Sequence, residues 1–472
     1  MKKMKKINRI VWLLAALFAA LGCSDDKELT MYSLRFDPDA ITLAIGATRQ
    51  LVPISDPVYE HVQYEWKSLD ERVATVDAAG VVTGVGAGST EVRAFYGDNR
   101  LARCLVSVVE RASSLPDPTA ALAGGLTQQM LFSSNQLQYK GTIMQCFDFY
   151  DENGYIYYTQ NVSDTKTGNK WMVALCRQKR NTERSGDYMQ LQWFGHGTLL
   201  AVEKGRDGDY AWVNSNGTLS GSDYSNNLTF SRVKYRTGAV MSHYGGDTFY
   251  LSSYVDASGA TWNIYDVQPS IDFVNRRLLI GCRSAGVRHN VIYDLDAVLA
   301  LGLERVELTR TWGGETAAEG PTEKKTETTS VEVRNLGRLM PLGSFRLPSY
   351  LGTGQTDQLY SYSHQGHAVW GDYVYWYEGQ AIRQTGELYD GSVAYVAVFD
   401  YNGKLVCPRT RVAACSDFPS LSTLLDAKDC YCEGEGMQIK QGRTLYLGIA
   451  THTSAASSNR LASILRYDCE VR

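Results

Sequence analysis

The chain has 472 residues and a formal net charge of −4, with 43 Gly against 11 Pro and 30 Tyr against 13 Phe. A collagen-like or disordered chain would need far more proline or charge and fewer aromatic residues, and a small disulfide scaffold would need a higher density of cysteine than 10 in this length. The composition indicates a globular protein of two or three domains. The excess of tyrosine and glycine favours strands and tight turns over helices.

Residues 1–22 have the pattern of a secretory signal. Four lysines and one arginine precede an apolar run at residues 10–21, and this run is too short to span a bilayer. The run ends in Ala20-Leu21-Gly22-Cys23, which resembles the lipobox of bacterial lipoproteins. The resemblance implies that Cys23 is lipidated and becomes the mature N-terminus, with residues 23–30 as a tether.

The residues after Cys23 predict where the protein is located. Ser24-Asp25-Asp26 is similar to the acidic tag of surface-exposed lipoproteins of the Bacteroidota. We therefore expect an outer-membrane location that faces the cell exterior, with attachment to the membrane through the N-terminal lipid only.

Loss of residues 1–22 removes five positive charges and no negative ones, which changes the net charge from −4 to −9. This acidic chain has no long Lys/Arg run, so nucleic-acid binding has no support.

The cysteines point to buried thiols and to possible disulfides. Nine cysteines follow Cys23, an odd number, so at least one is free or pairs with another molecule. Cys146, Cys176 and Cys282 lie in apolar, strand-like runs, which favours buried thiols. An exported protein can form disulfides among the cysteines near the C-terminus, which are Cys407, Cys415, Cys430, Cys432 and Cys469. The chain has no Cys-x-x-Cys pair, which argues against a zinc site.

Residues 31–110 predict a small antiparallel sandwich, because apolar and polar residues alternate in short runs separated by Gly, Pro and Asp. The candidate strands are at residues 41–43, 50–52, 73–76 and 90–94. Leu43-Ala44-Ile45-Gly46, Tyr64-Glu65-Trp66-Lys67-Ser68 and the Gly-rich run at residues 80–88 resemble the bacterial Ig-like group 2 (BIG2) domain. The resemblance implies a spacer or adhesive module, with Trp66 in its core.

A repeated pattern follows the linker at residues 111–127. From residue 128 to residue 470, a polar residue, a short apolar run and an aromatic strand recur in five units. The residues that open the units are Gln145, His196, Pro269, His367 and Glu435, at intervals of 51, 73, 98 and 68 residues. Five units of short antiparallel strands predict a five-bladed β-propeller. The predicted fold class is therefore all-β, an Ig-like β-sandwich followed by a five-bladed β-propeller.

The longest interval contains two further features. Residues 295–304 predict a short helix, and the polar stretch at residues 311–330 is typical of a mobile segment. We expect the five units to differ mainly in loop length.

Three motifs carry a family resemblance across residues 128–470. They are Tyr155-Ile156-Tyr157-Tyr158-Thr159-Gln160, Phe194-Gly195-His196-Gly197-Thr198 and Glu433-Gly434-Glu435-Gly436-Met437-Gln438. The segment resembles the propeller of phage receptor-binding proteins, of teichoic-acid biosynthesis protein C and of helveticin-J-type bacteriocins. The resemblance implies a five-bladed propeller that binds cell-surface polymers and implies no reaction. The lipid anchor and the Ig-like segment depart from those proteins, which argues against a phage-tail or secreted-toxin role.

The residues that open the units form the candidate binding site. The starts of the innermost strands of a propeller converge on its central channel, so Gln145, His196, His367 and Glu435 are expected to face one another there. Two imidazoles, a carboxylate and an amide suit a divalent cation or a polar ligand group. The alternative is that these groups hydrogen-bond to one another, to backbone and to channel waters, and the lack of a metal-ligand spacing favours it over a metal.

Aromatic residues favour recognition of a sugar face. Trp193 and Trp370 lie near the starts of units and in loops, and we predict that they line the rim of the site. Packing between blades is the alternative interpretation.

A glycan-cleaving enzyme would need two carboxylates across the scissile bond. Glu203, Asp272 and Glu435 are candidates, but structural roles explain Glu203 on an alternating strand and Asp272 at a strand end better. The sequence has no Gly-x-Ser-x-Gly elbow, Walker loop or His-Glu-x-x-His motif. It therefore predicts no catalytic residue and favours binding over catalysis.

The sequence thus predicts a surface-exposed lipoprotein whose propeller binds a glycan or another cell-envelope polymer, with the Ig-like domain as a spacer. Two alternatives stay open. One is a glycan-cleaving hydrolase or lyase that uses the Glu and His residues at the channel mouth, and the other is a structural or protein-binding surface component.

Overall fold

A computed structural model describes most of the chain after residue 31, and Cys23 lies outside the described residues. The described residues are 32–36, 39–46, 48–59, 62–97, 100–109, 115–124, 129–134, 137–139, 142–162, 172–180, 187–205, 207–220, 223–312, 316–317, 320–321, 323–347, 362–382, 391–415, 418–425, 427, 431–452 and 460–472. They are nearly all β, which confirms the predicted fold class at this level. No helix within them is long and apolar enough to cross a membrane.

The N-terminal domain consists of nine strands. They are β1 (Ser33–Arg35), β2 (Ala40–Ala44), β3 (Thr48–Gln50), β4 (Ile54–Asp56), β5 (Glu65–Ser68), β6 (Ala74–Val76), β7 (Val81–Gly84), β8 (Gly88–Tyr96) and β9 (Arg100–Val109). One sheet has the order β2-β9-β8-β5, a second has the order β3-β7-β6, and β1 pairs with β4. Alternate residues such as Leu43, Val82 and Val106 face inward and form one apolar core. The pairing of β2 with β9 is parallel, which the sequence did not indicate.

The second part of the chain contains the remaining strands and helices. In chain order they are β10 (Pro116–Asp117), α1 (Thr119–Ala123), β11 (Gln129–Ser134), β12 (Met144–Asp148), β13 (Tyr155–Val162), β14 (Met172–Lys179), β15 (Asp187–Gln192), β16 (Leu200–Gly205), β17 (Gly208–Ser215), β18 (Thr218–Ser220), β19 (Asp223–Asn226), β20 (Thr229–Lys234), β21 (Val240–Ser242), β22 (Asp247–Tyr250), β23 (Ser253–Val255), β24 (Thr261–Asn263), β25 (Tyr265–Asp272), β26 (Arg277–Ser284), β27 (Val287–Asp294), α2 (Leu295–Leu299), β28 (Leu303–Trp312), β29 (Thr316–Ala317), β30 (Gly320–Pro321), β31 (Lys325–Asn335), β32 (Gly343–Arg346), β33 (Ser363–Trp370), β34 (Tyr373–Ile382), β35 (Gly391–Asp400), β36 (Leu405–Arg411), α3 (Phe418–Leu425), β37 (Cys432–Lys440), β38 (Thr444–His452), β39 (Arg460–Asp468) and β40 (Glu470–Val471). Two short 3₁₀ helices lie at Leu336–Arg338 and Ala413–Cys415.

Five of the sheets that these strands form have four or more strands. Sheet I has the order β12-β13-β14-β15-β21, sheet II β16-β17-β20-β22-β31-β28, sheet III β25-β26-β27-β32, sheet IV β33-β34-β35-β36 and sheet V β37-β38-β39-β11. The first strand of each sheet is the one that lies nearest to the opening residue predicted for each unit. The five-unit division of the sequence therefore matches five sheets in the described part of the chain.

The second strand of each of the five sheets is buried on both faces, which explains why these strands are mostly apolar. In β13, Tyr157 packs in the apolar cluster between sheets I and II, whereas its neighbour Tyr158 packs in the cluster between sheets V and I. In β34, Trp376 faces sheet III and Tyr377 faces sheet V. Successive side chains point to opposite faces of a strand, so each sheet needs a neighbour on both sides.

The first strands contact one another in a closed cycle. Strand β12 contacts β16, β16 contacts β25, β25 contacts β33, β33 contacts β37, and β37 contacts β12. One apolar cluster fills the space between each neighbouring pair of sheets, including the pair V and I. The amide of Gln438 in β37 donates to the carbonyl oxygens of Phe147 at 2.9 Å and Leu200 at 3.0 Å, so three first strands run side by side in one direction.

A strand that precedes sheet I in the chain completes the last sheet. Strand β11 precedes sheet I in the chain but pairs with β39 of sheet V in an antiparallel ladder. Nearby, β10 pairs with β40, the last strand of the chain. Hydrogen bonds between distant parts of the sequence therefore join the two ends of this unit.

The polar stretch at residues 311–330 is more ordered at its ends than we predicted. Strands β28 and β31 pair without interruption from Leu303 opposite Arg334 to Trp312 opposite Lys325. Threonine hydroxyls face each other across this hairpin, for example Thr309 and Thr328 at 2.9 Å. Threonine is β-branched and favours strands. The predicted helix begins at Leu295, where the side chain of Asp294 caps it by accepting from Ala297 N, and it ends after five residues.

Eight cysteines lie in the described part of the chain, and all are buried thiols that form no disulfide there: Cys104, Cys146, Cys176, Cys282, Cys407, Cys415, Cys432 and Cys469. The predicted buried thiols at 146, 176 and 282 are confirmed. Cys430 lies outside the described residues.

Packing around Trp66 gives the first prediction. Trp66 stacks on Phe36 with ring centroids 5.8 Å apart, and a Cβ at Gly80 would lie 2.3 Å from its Cζ2 atom. Gly80 also has a φ of +82°. We expect Gly80→Ala to lower the free energy of local unfolding of the N-terminal domain by about 3 kcal/mol, from backbone strain and overpacking together. Hydrogen exchange of peptides from residues 62–97 measures this change.

Gly46→Ala is the matched control, because Gly46 has a φ of +81° but open space where a Cβ would lie. It should cost only the backbone strain, about 1 kcal/mol. Equal costs for the two variants would show that Trp66 does not pack against Gly80.

Closure of the ring gives the second prediction. Phe132 of β11 is 2% exposed and packs in the cluster between sheets V and I, with its ring 6.5 Å from that of Tyr158. We expect Phe132→Ala to destabilise the protein by about 3–5 kcal/mol, as large-to-small core changes do. The exposed neighbour Ser133 is the control, and Ser133→Ala should change stability by less than about 0.5 kcal/mol. Calorimetric melting of both variants tests this, and equal melting temperatures would exclude a closing role for β11.

Candidate functional site

The ends at which the first strands begin carry irregular pairing, and we call this side of the ring the strand-start end. The ladder shifts register between Met144 and Cys146, Tyr265 and Gln268, His364 and Gly366, and Gly434 and Met437. Four of the five first strands are therefore bulged there. A bulge releases residues from the ladder and re-aims their side chains, and bulges are over-represented next to active sites. The polar residues released in this way are Gln145, Asp266, Gln365 and Glu435.

Gln145 and Glu435 come from neighbouring strands. Gln145 is half-buried in the bulge of β12. Glu435 is 5% exposed in the bulge of β37, and the next residue, Gly436, lies so close to β12 that its Cβ would be 3.0 Å from the Sγ atom of Cys146. Gly436 has a φ of +89°, which favours glycine there. The structure thus brings two predicted site residues, 290 positions apart in the sequence, to one place.

The carboxyl group of Glu435 is perturbed by its surroundings. Burial raises its pKa well above the usual range, and the nearby charge of Glu433 raises it further, while Arg460 opposes this. Glu433 accepts a hydrogen bond from the hydroxyl of Tyr431. Two carboxyl groups with different environments therefore lie at the start of β37.

His196 lies in the turn before β16, at the same end of the ring. It is half-buried, and its Nδ1 atom lies 3.2 Å from the amide nitrogen of Asn161. Gly197 has a φ of +79°, and a Cβ there would lie 3.1–3.2 Å from Val173 and Thr159. The Gly-His-Gly segment is therefore a tight turn packed on sheet I, and this turn holds the imidazole at the strand-start end.

His367 lies deeper than the sequence predicted. It is 0% exposed, its Nε2 atom lies 3.2 Å from the carbonyl oxygen of Gln268, and its Nδ1 atom lies 3.1 Å from Nε2 of His364. A carbonyl can only accept, so Nε2 of His367 carries the proton and Nδ1 accepts from His364. His367 thus links sheets III and IV inside the protein, and Gln365 in the bulge of β33 occupies the position at the strand start.

The two predicted rim tryptophans lie at opposite ends of the ring. Trp193 follows β15 at the strand-start end, is partly exposed, stacks on His243 with centroids 6.2 Å apart, and lies 5.1 Å from the guanidinium of Arg310. Trp370 ends β33 and is 4% exposed in the cluster between sheets IV and V. Only Trp193 is therefore placed where a rim residue is expected, and Trp370 has the packing role.

Glu203 and Asp272 have structural partners. Glu203 accepts from the indole of Trp212 at 3.1 Å and from Arg232 at 2.9 Å. Asp272 accepts from the backbone N–H of Gly371 at 2.8 Å and from backbone groups of its own turn. These contacts favour the structural interpretation of both residues.

A cleft of about 690 Å³ lies between the N-terminal domain and sheet II. Arg49 of β3 reaches across to Asp296 of α2, with Nε 3.5 Å from Oδ1. Burial and Arg276 lower the pKa of Arg49 to about 10. Arg232 is paired with Glu203 and Asp247 within sheet II in the same cleft. The Arg49–Asp296 ion pair is the contact that joins the two parts across it.

The described part of the chain contains no group of three or more His, Cys, Asp or Glu side chains that is arranged to hold a metal ion. The divalent cation that the sequence left open thus has no ligand set among these residues.

Comparison with known proteins identifies the N-terminal domain. Residues 31–106 match the family model of the bacterial Ig-like domain, group 2. These residues form a bacterial Ig-like domain. The match confirms the BIG2 prediction for this part of the chain, and no curated protein matches the chain.

Solved structures give only distant similarity. A protein of unknown function from Dyadobacter fermentans aligns at 9% identity with a TM-score of 0.32, covering 72% of this chain and 99% of that one. A DUF4784 family protein from Bacteroides caccae aligns at 10% identity with a TM-score of 0.13, covering 83% and 98%. The surface layer protein SbsC, domains 4–9, aligns at 11% identity with a TM-score of 0.16, covering 81% and 82%.

The environment of His367 gives a prediction about pH. Burial, and then the charge of Arg288, lower its pKa to about 3, so the folded protein keeps it neutral. The unfolded chain takes up a proton below about pH 6.5, so this residue contributes stability above that pH and loses it as the pH falls toward 3. We expect the His367 Cε1–H resonance, assigned with His367→Gln, to stay unchanged between pH 7.5 and 4.5. A midpoint near pH 6 would contradict the buried neutral state.

Proposed function

We propose that this chain is a surface-exposed lipoprotein in which the bacterial Ig-like domain separates a five-bladed β-propeller from the membrane. The propeller binds a glycan or another cell-envelope polymer at the strand-start end. The observation that carries the proposal is the set of bulges, which release one polar residue from each of four sheets at one end of the ring. The lipobox at Cys23 supports the anchor, and the resemblance to phage receptor-binding and helveticin-J-type propellers supports the ligand class.

Several features of the fold support a propeller. Five sheets surround a cycle of five first strands, apolar clusters fill all five spaces between them, and β11 completes the last sheet. Radial repetition of this kind leaves only short, protected edges. A ring of this architecture gathers side chains from distant parts of the sequence around one axis.

The chemistry of the strand-start end suits a polymer rich in hydroxyl groups. Gln145, Gln365 and Glu435 offer amide and carboxyl groups, and Trp193 offers a partly exposed aromatic face. Small-molecule sites commonly combine a few placed polar groups with aromatic surface. Each of these residues lies on a separate element, so a ligand bound here would contact several sheets at once.

A second candidate function is cleavage of the same polymer, and Glu435 is the observation that favours it. Its raised pKa suits a general acid, and Glu433 lies close enough to influence it. Glycosidases use two carboxyl groups across the scissile bond, and a raised pKa is typical of the one that acts as the acid. Binding remains the main proposal, because catalysis needs the second carboxylate to face the ligand as well.

A polysaccharide screen tests the proposal. The chain from residue 24 onward, which contains every described residue, is assayed against bacterial and host polysaccharides for retention and for release of sugars. We expect retention without release, and we expect Glu435→Gln to weaken binding about tenfold, equivalent to about 1.4 kcal/mol. Glu470→Gln, at an exposed residue of β40, is the control.

The outcomes separate the candidates. Release of sugars that Glu435→Gln abolishes would replace binding by catalysis. No retention of any polysaccharide, or equal retention by wild type and Glu435→Gln, would argue against the strand-start end as a glycan site.

A further inference from the structure

A group of polar side chains, which we call the arginine cluster, lies between sheets III and IV at the strand-start end. A Cβ at Gly281 in β26 would lie 2.3 Å from Cε1 of His367, so this face of sheet III packs on sheet IV. Gln268 and Asn290 lie opposite Gly281 on the two flanking strands, and residues opposite each other project from the same face. Two residues further toward the strand-start end, Arg283 lies opposite Arg288 on that face.

The arginine cluster contains six buried polar atoms that have no hydrogen-bond partner among the described residues. They are Arg283 Nε, Arg288 Nη1, Gln268 Oε1, Trp376 Nε1 and both amide atoms of Asn290. A buried polar group without a partner costs about 1–3 kcal/mol, and native proteins have few of them. Four of the six atoms are nitrogen donors, so the cluster suits contact with an acceptor group of a ligand.

The charges of the arginine cluster favour binding of an anion. Asp266 is the carboxylate shared by the two arginines, with its Oδ2 atom 3.3 Å from Arg283 Nε and 3.8 Å from Arg288 Nη1. Glu378, opposite His364 in sheet IV, is neutralised by Arg409 at 2.6 Å. Two guanidinium groups thus share one carboxylate.

The neighbouring histidines do not compensate this charge, because both are neutral. Burial, and then the charge of Arg288, hold the pKa of His364 well below its usual range and lower that of His367 to about 3. Burial lowers the pKa of Arg288 only to about 10, so this side chain stays charged near neutral pH. Counted over the described residues, the arginine cluster therefore has one positive charge in excess.

Arg283 is the most exposed charged side chain of the arginine cluster. The side chain of Arg283 is 40% exposed, whereas those of Arg288 and Asp266 are 13% and 11% exposed. Asp266 lies in the bulge of β25 and has a φ of +58°, a conformation that is uncommon outside glycine and clusters at functional sites. An incoming group would meet Arg283 first and Arg288 behind it.

We propose that the arginine cluster binds the anionic group of an acidic polysaccharide, either the carboxylate of a uronic acid or a sulfate ester, through Arg283 and Arg288. Guanidinium groups match the geometry of such oxyanions and form short, charge-assisted hydrogen bonds to them. The donors of Asn290 and Trp376 belong to the same cluster. The inference rests on the proposed glycan binding and specifies the ligand as acidic.

Calorimetric titration tests the inference with three probes on the chain from residue 24 onward. The probes are an oligogalacturonate, a dextran sulfate oligosaccharide and a neutral dextran oligosaccharide. We expect one of the two acidic probes to bind at least tenfold more tightly than the neutral one, which also identifies the oxyanion as carboxylate or sulfate. We expect the affinity to fall as salt is raised.

Variants then locate the site. Arg288→Gln and Arg283→Gln should each weaken binding of the acidic probe at least tenfold, while Arg305→Gln should leave it unchanged, because the Arg305 side chain is 74% exposed on β28. If Arg288→Gln lowers the melting temperature, the test relies on Arg283→Gln, because the Arg283 side chain is half-exposed. Equal affinity of wild type and Arg283→Gln overturns the inference.

Failure of the inference is distinguishable from failure of the proposed function. In one outcome, neither acidic probe binds, but neutral polysaccharides are retained and Glu435→Gln weakens that retention. The arginine cluster is then not a ligand site, and the proposed function stands. If no polysaccharide of any charge is retained, both are overturned.

Discussion

The structure depends on closing a ring of sheets whose two faces are both apolar. Tyr157 and Tyr158, neighbours in one strand, pack against different sheets, so a row of five sheets without closure would leave two apolar faces in water. Strand β11 prevents this by hydrogen-bonding to β39, and the pairing of β10 with β40 joins the chain ends again. Because these pairings connect residues more than 300 positions apart, their loop-closure cost must be met by burial across the whole ring.

The two ends of the ring differ in the regularity of their first strands. At the end where the first strands finish, Asp272 accepts from backbone groups of two sheets and Lys440 pairs with Asp148 at 2.5 Å. At the strand-start end, bulges interrupt four of the ladders, and Glu435 is buried beside a second carboxyl group. Arg283 and Arg288 share one carboxylate, Asp266, at this end. The bulges thus place polar side chains outside the regular ladder.

Much of the fold was predictable because burial on a strand follows a period of two. The alternation in residues 31–110 predicted the sandwich, and the family match confirms it. The spacing of polar and aromatic runs located the five first strands. The hairpin of β28 and β31 was not predicted, since its sequence is polar and its order comes from cross-strand pairing of threonines. Similarly, nothing local marks β11 as part of the last sheet.

Sequence patterns alone indicated the types of element and the Ig-like domain, and they predicted five further units with Gln145, His196 and Glu435 near the starts of strands. Which of these groups meet, and how deeply they are buried, depends on contacts between separate sheets. His367 was taken for a channel residue because it is polar and precedes an apolar run, but the bulge at Gln365 shifts the register and buries it. Arg283 and Arg288 have no distinctive motif. The arginine cluster forms because glycine at position 281 lets sheets III and IV approach each other. Contacts between separate sheets leave no local pattern in a sequence.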